Sequence, residues 1–294
     1  MGETVERPRN SVDGIAIGAM FLMVVGFTYN DEVVEMAYAG AGGYVEYSVW
    51  IVFSIDLAIV LCAAGLKWRM ESREQRGATM PWREFLPRLL HSTWPLGVAL
   101  MVALHIAMVF LRSNMGVDIV VSMLFTVSMS LVLVAALDVG PSGERSPGQR
   151  DWIVPLLVGT LVVQLASALW FPVLDVEGEC ADTISTDFFS QMVQVIPLLL
   201  VTLGIELGFL RRTSFLRTLG QKAAPILTVV MLCVAEILAF SMLVASDRTS
   251  CGVAATVHEF AAFVLSVQAT AIALVTLVWL LMTDRRQMSL HENA

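Results

Sequence analysis

The sequence predicts an all-α integral membrane protein: a single transmembrane domain over residues 1–294, folded as an eight-span helical bundle with both termini in the cytoplasm. Three observations predict it. Hydrophobic residues make up 57% of the 294 positions and charged residues 15%. An ordinary soluble domain has roughly 45–50% and about 25%, so a water-soluble core could not hide this much apolar surface. The hydrophobicity also arrives in continuous runs of about 17–25 residues, the length a helix needs to cross roughly 30 Å of hydrocarbon, and continuity rather than alternation selects helices over a barrel. Finally, the basic residues fall into alternate connectors, as they do when Lys and Arg collect on the cytoplasmic side.

The first run, residues 13–29, follows Arg7 and Arg9 and has the length of a secretory signal, but an acidic stretch beginning at Asp31 comes after it instead of a clear cleavage site. It is therefore read as a retained span. The second run covers 47–66. The connector 67–93 holds Lys67, Arg69, Arg73, Arg76, Arg83 and Arg88, and its Trp82, Phe85, Leu86 and Leu89 mark an amphipathic segment lying at the membrane surface. Runs three and four, 94–111 and 117–137, are separated only by the tight reversal from Arg112 to Gly116, and fusing them leads to the competing counts of six or seven spans. The remaining runs are 152–173, 187–210, 223–246 and 253–282.

Orientation follows from charge. With the amino terminus inside, 16 of the 18 Lys and Arg residues lie on the cytoplasmic side, and only Arg112 and Arg248 lie outside. The outer side is acidic, with Asp31, Glu32, Glu35 and Glu46 at one loop and Asp175, Glu177, Glu179, Asp182 and Asp187 at another. Such acids can attract cations or simply complement the basic inner loops, and no calcium-loop spacing orders them. The excess of Arg over Lys, 16 to two, fits a bacterial high-GC genome and hence a bacterial cytoplasmic membrane.

Two further features concern architecture. Cys180 and Cys251 both fall in outer loops, where disulfides persist, and are expected to bridge; Cys62 and Cys233 lie inside spans. Phe85, Leu86, Leu89, Pro95 and Met101 recur 130 positions later as Phe215, Leu216, Leu219, Pro225 and Met231, which suggests a diverged 4+4 parallel repeat.

Function is sought at the polar residues placed at membrane depth, because ionisable groups there are costly and usually face the bundle interior or a water-filled path. Asp56 in span two, His105 in span three and Glu236 in span seven are the candidates for proton exchange or cation binding; the competing role is to hold helices together. Gln191, Gln194 and Pro197 mark span six as a kinked, amide-bearing candidate cavity wall. Gln268 adds another amide, and His258 with Glu259 open span eight near water as surface groups.

Catalytic signatures are missing. There is no Walker loop, dinucleotide glycine fingerprint, nucleophile elbow or Cys-x-x-Cys pair, and position 262 is Ala where a zincin following His258 and Glu259 would need its second His. No cofactor or metal is expected. The net charge of −8 leaves no nucleic-acid footprint. The 16 methionines carry no paired copper motif and read as apolar filler. Three function classes remain: a transporter or channel for an ion or small solute, proton-coupled; a non-catalytic assembly or regulatory protein acting on a second copy or another membrane protein; and a lipid-active enzyme. Buried ionisable groups in several spans favour the first. The lipid bilayer is the expected partner in every case.

Overall fold

The computed structural model describes residues 14–39, 49–74, 80–110, 115–137, 154–170, 184–212, 219–245 and 251–292. Its regular elements are helices: α1 (Gly14–Ala39), α2 (Val49–Glu74), α3 (Trp82–Leu90), α4 (Trp94–Phe110), α5 (Met115–Leu137), α6 (Val154–Trp170), α7 (Thr186–Arg212), α8 (Leu219–Ala245) and α9 (Val253–Glu292). Continuous apolar sequence has no better way to satisfy its backbone than intrasegment hydrogen bonds, and each expected run coincides with a helix.

Four of these helices contain a stretch long and apolar enough to cross a membrane: Trp50–Ser72, Thr186–Gly208, Pro225–Val244 and Ala254–Leu281. A fifth is reached if α3 and α4, bent by 65°, count as one broken span. The other helices carry shorter apolar stretches, Ile17–Gly26, Val120–Ala136 and Val154–Val163. Among the described residues the architecture is thus a helical assembly with four to five helices of spanning length, where the sequence predicts eight spans. In α1 the apolar stretch gives way to Asp31, Glu32 and Glu35 while the helix itself continues to Ala39. Large apolar side chains face outward along many helices, among them Leu22, Phe110, Leu198, Ile237 and Val244, each at least two-thirds exposed. A soluble monomer rarely tolerates such a surface; in lipid it carries no penalty.

The expected connector 67–93 is more ordered than its charge suggested. Residues 67–74 continue α2, and residues 82–90 form α3, which buries Phe85 and Leu89 and leaves Trp82, Arg83, Leu86 and Arg88 exposed. Met80, Phe85 and Leu89 pack with Ala64, and the Trp68 indole N–H donates to the Met80 carbonyl at 2.9 Å, fastening this segment to the end of α2. Ser92 then makes the bend: its hydroxyl donates to the Leu89 carbonyl at 2.6 Å and accepts from the Trp94 amide at 3.2 Å.

The helices group into two halves, joined by α5 packed on α6 and by one continuous core. In the first half α4 lies on α5, and α2 lies on both. In the second, α9 is packed by α6, α7 and α8, while α1 touches helices of both halves. Each half has one very close helix approach made by a glycine. A Cβ on Gly97 of α4 would stand 2.7 Å from the Ser128 carbonyl oxygen, and one on Gly159 of α6 would stand 2.6 Å from the Ile272 Cα of α9. Small residues let helix backbones approach where no hydrophobic drive separates protein from solvent. Met20, Met23, Met101 and Met231 are fully buried core filler, so these methionines serve packing.

The basic termini and connectors with Arg7, Arg9, Arg112, Arg145, Arg150, Arg217 and Arg248, the acidic run from Asp175 to Asp182 with Cys180, and the repeat positions Phe215 and Leu216 lie outside the described residues.

Candidate functional site

Asp56 and His105 come together. Asp56 projects from the inner face of α2 and is completely buried; His105 projects from α4 and is 6% exposed. The His105 Nε2 lies 3.1 Å from Asp56 Oδ2. Aromatic rings enclose the imidazole, with the Phe53 ring 5.2 Å and the Phe125 ring 6.1 Å away, centroid to centroid, both edge-on. These three helices are the ones that pack on one another in the first half, which is why residues 49 positions apart in the chain meet.

The hydrogen bonding of the imidazole determines what the contact can hold. His105 Nδ1 lies 3.0 Å from the Met101 carbonyl, one turn earlier in α4. A carbonyl only accepts, so Nδ1 carries the hydrogen and Nε2 is the atom left facing the carboxyl group. The approach of Nε2 to Oδ2 is an ion-pair distance without hydrogen-bond alignment, and one proton between the two groups makes it imidazolium beside carboxylate or neutral imidazole beside carboxylic acid. Both forms are neutral overall. Removing that proton sets the Nε2 lone pair against a carboxylate in a buried, aromatic surrounding, an unfavourable arrangement of two acceptors.

Glu236 does not join this pair. It stands on α8, half-buried, and its Oε2 has no hydrogen-bond partner among the described residues. Gln191 and Gln194 are exposed on α7, and Pro197 is half-buried; the side chains that α7 turns toward the core are instead Phe189, Ile196, Leu199 and Leu203. The two glutamines therefore do not line an interior of this chain. Among the described residues no group of three or more His, Cys, Asp or Glu is placed to hold a metal ion.

A second buried charge pair was missed in the sequence. Lys67, assigned there to a cytoplasmic connector, lies inside α2 and is 3% exposed. Its Nζ donates to the Ala135 carbonyl at 2.7 Å in the last turn of α5 and lies 3.4 Å from Glu71 Oε1. An ammonium placed on terminal carbonyls satisfies groups that a helix end leaves open and complements the helix dipole. The signal was present in the spacing: Asp56, Val60, Ala63, Lys67 and Glu71 recur every three or four residues and are all buried on one face of α2.

The polar contacts of the second half are of another kind. Glu259, expected near water, is 3% exposed, and its Oε1 accepts from the Ile184 amide at 2.9 Å, just before α7 begins. The Ser241 hydroxyl donates to the Leu238 carbonyl at 2.7 Å, so His258 Nε2, also 2.7 Å from that oxygen, donates to it. These two contacts tie α9 to α7 and α8 at one end. Deeper in, Gln268 Nε2 donates to the Thr28 hydroxyl at 2.9 Å, linking α9 to α1. Cys62 and Cys233 are free and exposed.

No protein-family model, no curated protein and no solved structure matches this chain, so its chemistry must be read from its own side chains.

Proposed function

We propose that the chain is a transporter or channel for an ion or small solute, proton-coupled, with the Asp56–His105 contact as its proton-holding site. The observation that carries this reading is a carboxyl and an imidazole buried together, 3.1 Å apart, on helices with membrane-type composition. Such groups are expensive in lipid surroundings and are retained where charge must move. The contact holds one proton, and its loss creates a negative site that a small cation can neutralise. Exchange of a proton for a cation is the chemistry this arrangement favours. Asp56 is the group that gains and loses charge, His105 carries the proton toward or away from it, and the Met101 carbonyl keeps the imidazole in one orientation.

The finer topology belongs to the same proposal: eight crossings with both termini inside a bacterial plasma membrane, and a Cys180–Cys251 bridge on the outer side. The charge partition of 16 to two supports the orientation, and it puts Cys180 and Cys251 on the outer side, where disulfides persist.

The test is proton movement in liposomes reconstituted with the full chain and an internal pH dye, driven by inward gradients of sodium, potassium or magnesium. Wild-type protein should move protons in response to one of them, Asp56→Asn should not, and Glu236→Gln should behave as wild type. Unchanged pH-dependent flux in Asp56→Asn would sink the proposal.

A further inference from the structure

The outward face of α7 is built for contact with another helix. Gln191, Gln194, Leu198, Val201, Ile205 and Gly208 are all exposed, and their spacing alternates three and four residues over two and a half heptads. This is the seam of a helix that packs lengthwise on a neighbour. Of the four helices long enough to span, the α7 stretch is the least buried within the chain, at 22%. Neither glutamine has a hydrogen-bond partner among the described residues, and a Cβ added at Gly204 or Gly208 would meet nothing within 4 Å. A seam bounded by glycines four residues apart permits close backbone approach.

We infer that this chain self-associates through α7, with Gln191 and Gln194 of one copy bonded to those of a second copy. An amide left in hydrocarbon lacks the water that would satisfy it, so a partner must offer both donors and acceptors at the same depth. A second copy of α7 related by a two-fold axis does so automatically, because the carboxamide is its own complement and a two-fold interface places the same patch on both sides. Aliphatic Leu198, Val201 and Ile205 then fill the middle of the seam. Lipid chains could cover those three but not the glutamines. The inference is independent of proton coupling, since α7 carries neither Asp56 nor His105.

Counting copies by single-molecule photobleaching of the labelled full chain, diluted stepwise in lipid bilayers, tests it. Wild type is expected to pass from dimer to monomer on dilution. The double variant Q191L/Q194L should weaken the dimer by about 3- to 30-fold, the range expected for one or two interhelical amide contacts in lipid. Gly208→Leu, which fills the close approach while leaving the chain's own core untouched, should weaken it further. A chain that stays monomeric at every dilution would overturn the inference, as would a dimer whose dissociation is unchanged in both variants, or a different membrane protein found on α7 in place of the second copy.

Discussion

The two halves of the molecule solve the same packing problem with different chemistry. Helices α2, α4 and α5 enclose charge: Asp56 against His105 near one end of α2, and Lys67 with Glu71 and the Ala135 carbonyl near the other. Helices α6 to α9 hold no such charge pair among the described residues: the Glu259 carboxylate accepts a backbone amide, Ser241, His258 and Gln268 join helices through single hydrogen bonds, and half-buried Glu236 stands apart on α8. Both halves use a glycine for one close approach. Charges inside a membrane-type assembly contribute little that neutral packing cannot, so a half that keeps two charge pairs invites a functional explanation, and a half that avoids them reads as scaffold.

The largest effect should come from breaking the charged half. His105→Ala takes the imidazole from the buried Asp56 carboxyl, and thermal unfolding in detergent should register a loss of about 3–5 kcal/mol, while the double change to leucine at both positions restores much of it. If the single variant is as stable as wild type, the contrast between the halves collapses. A smaller loss, about 1–3 kcal/mol, is expected for Glu259→Ala, which leaves the Ile184 amide without its acceptor; faster hydrogen exchange at that amide would localise the effect to the start of α7. The smallest belongs to Thr28→Val, which removes the acceptor of Gln268 and should cost about 0.6 kcal/mol, the average found for single interhelical hydrogen bonds in membranes. A loss at Thr28 as large as that at His105 would show that neutral contacts in the second half matter as much as the buried charges.

How much of this was legible beforehand differs by level. Helix positions were, because an apolar run long enough to span must be helical, but α1, α2 and α9 continue to Ala39, Glu74 and Glu292, well past the runs that end at 29, 66 and 282. The candidate site was half legible. Asp56 and His105 could be singled out as costly residues at depth, but a helix apolar on nearly every side does not advertise which face is inward, so nothing distinguished their meeting from the separate position of Glu236. The same blindness set Gln191 and Gln194 on an interior wall when they face outward. Lys67 and Glu259 were misplaced for another reason: charged residues near helix ends were assumed to reach water, whereas a long helix carries Lys67 onto the end of α5 and a returning chain brings the Ile184 amide down to Glu259. Spacing marks the buried face on which Lys67 lies, but the partners, 68 and 75 positions away for Lys67 and Glu259, leave no trace in it.

The position of α9 has a consequence for how the chain is made. Synthesis proceeds from the amino terminus, yet α6, α7 and α8 all pack against α9, and the start of α7 waits for an acceptor that lies in α9. The contacts among α2, α4 and α5 can form while the ribosome is still working. The second half cannot close until α9 has been made, so a message truncated before Val253 would yield a nascent chain in which α6, α7 and α8 have no centre to gather around.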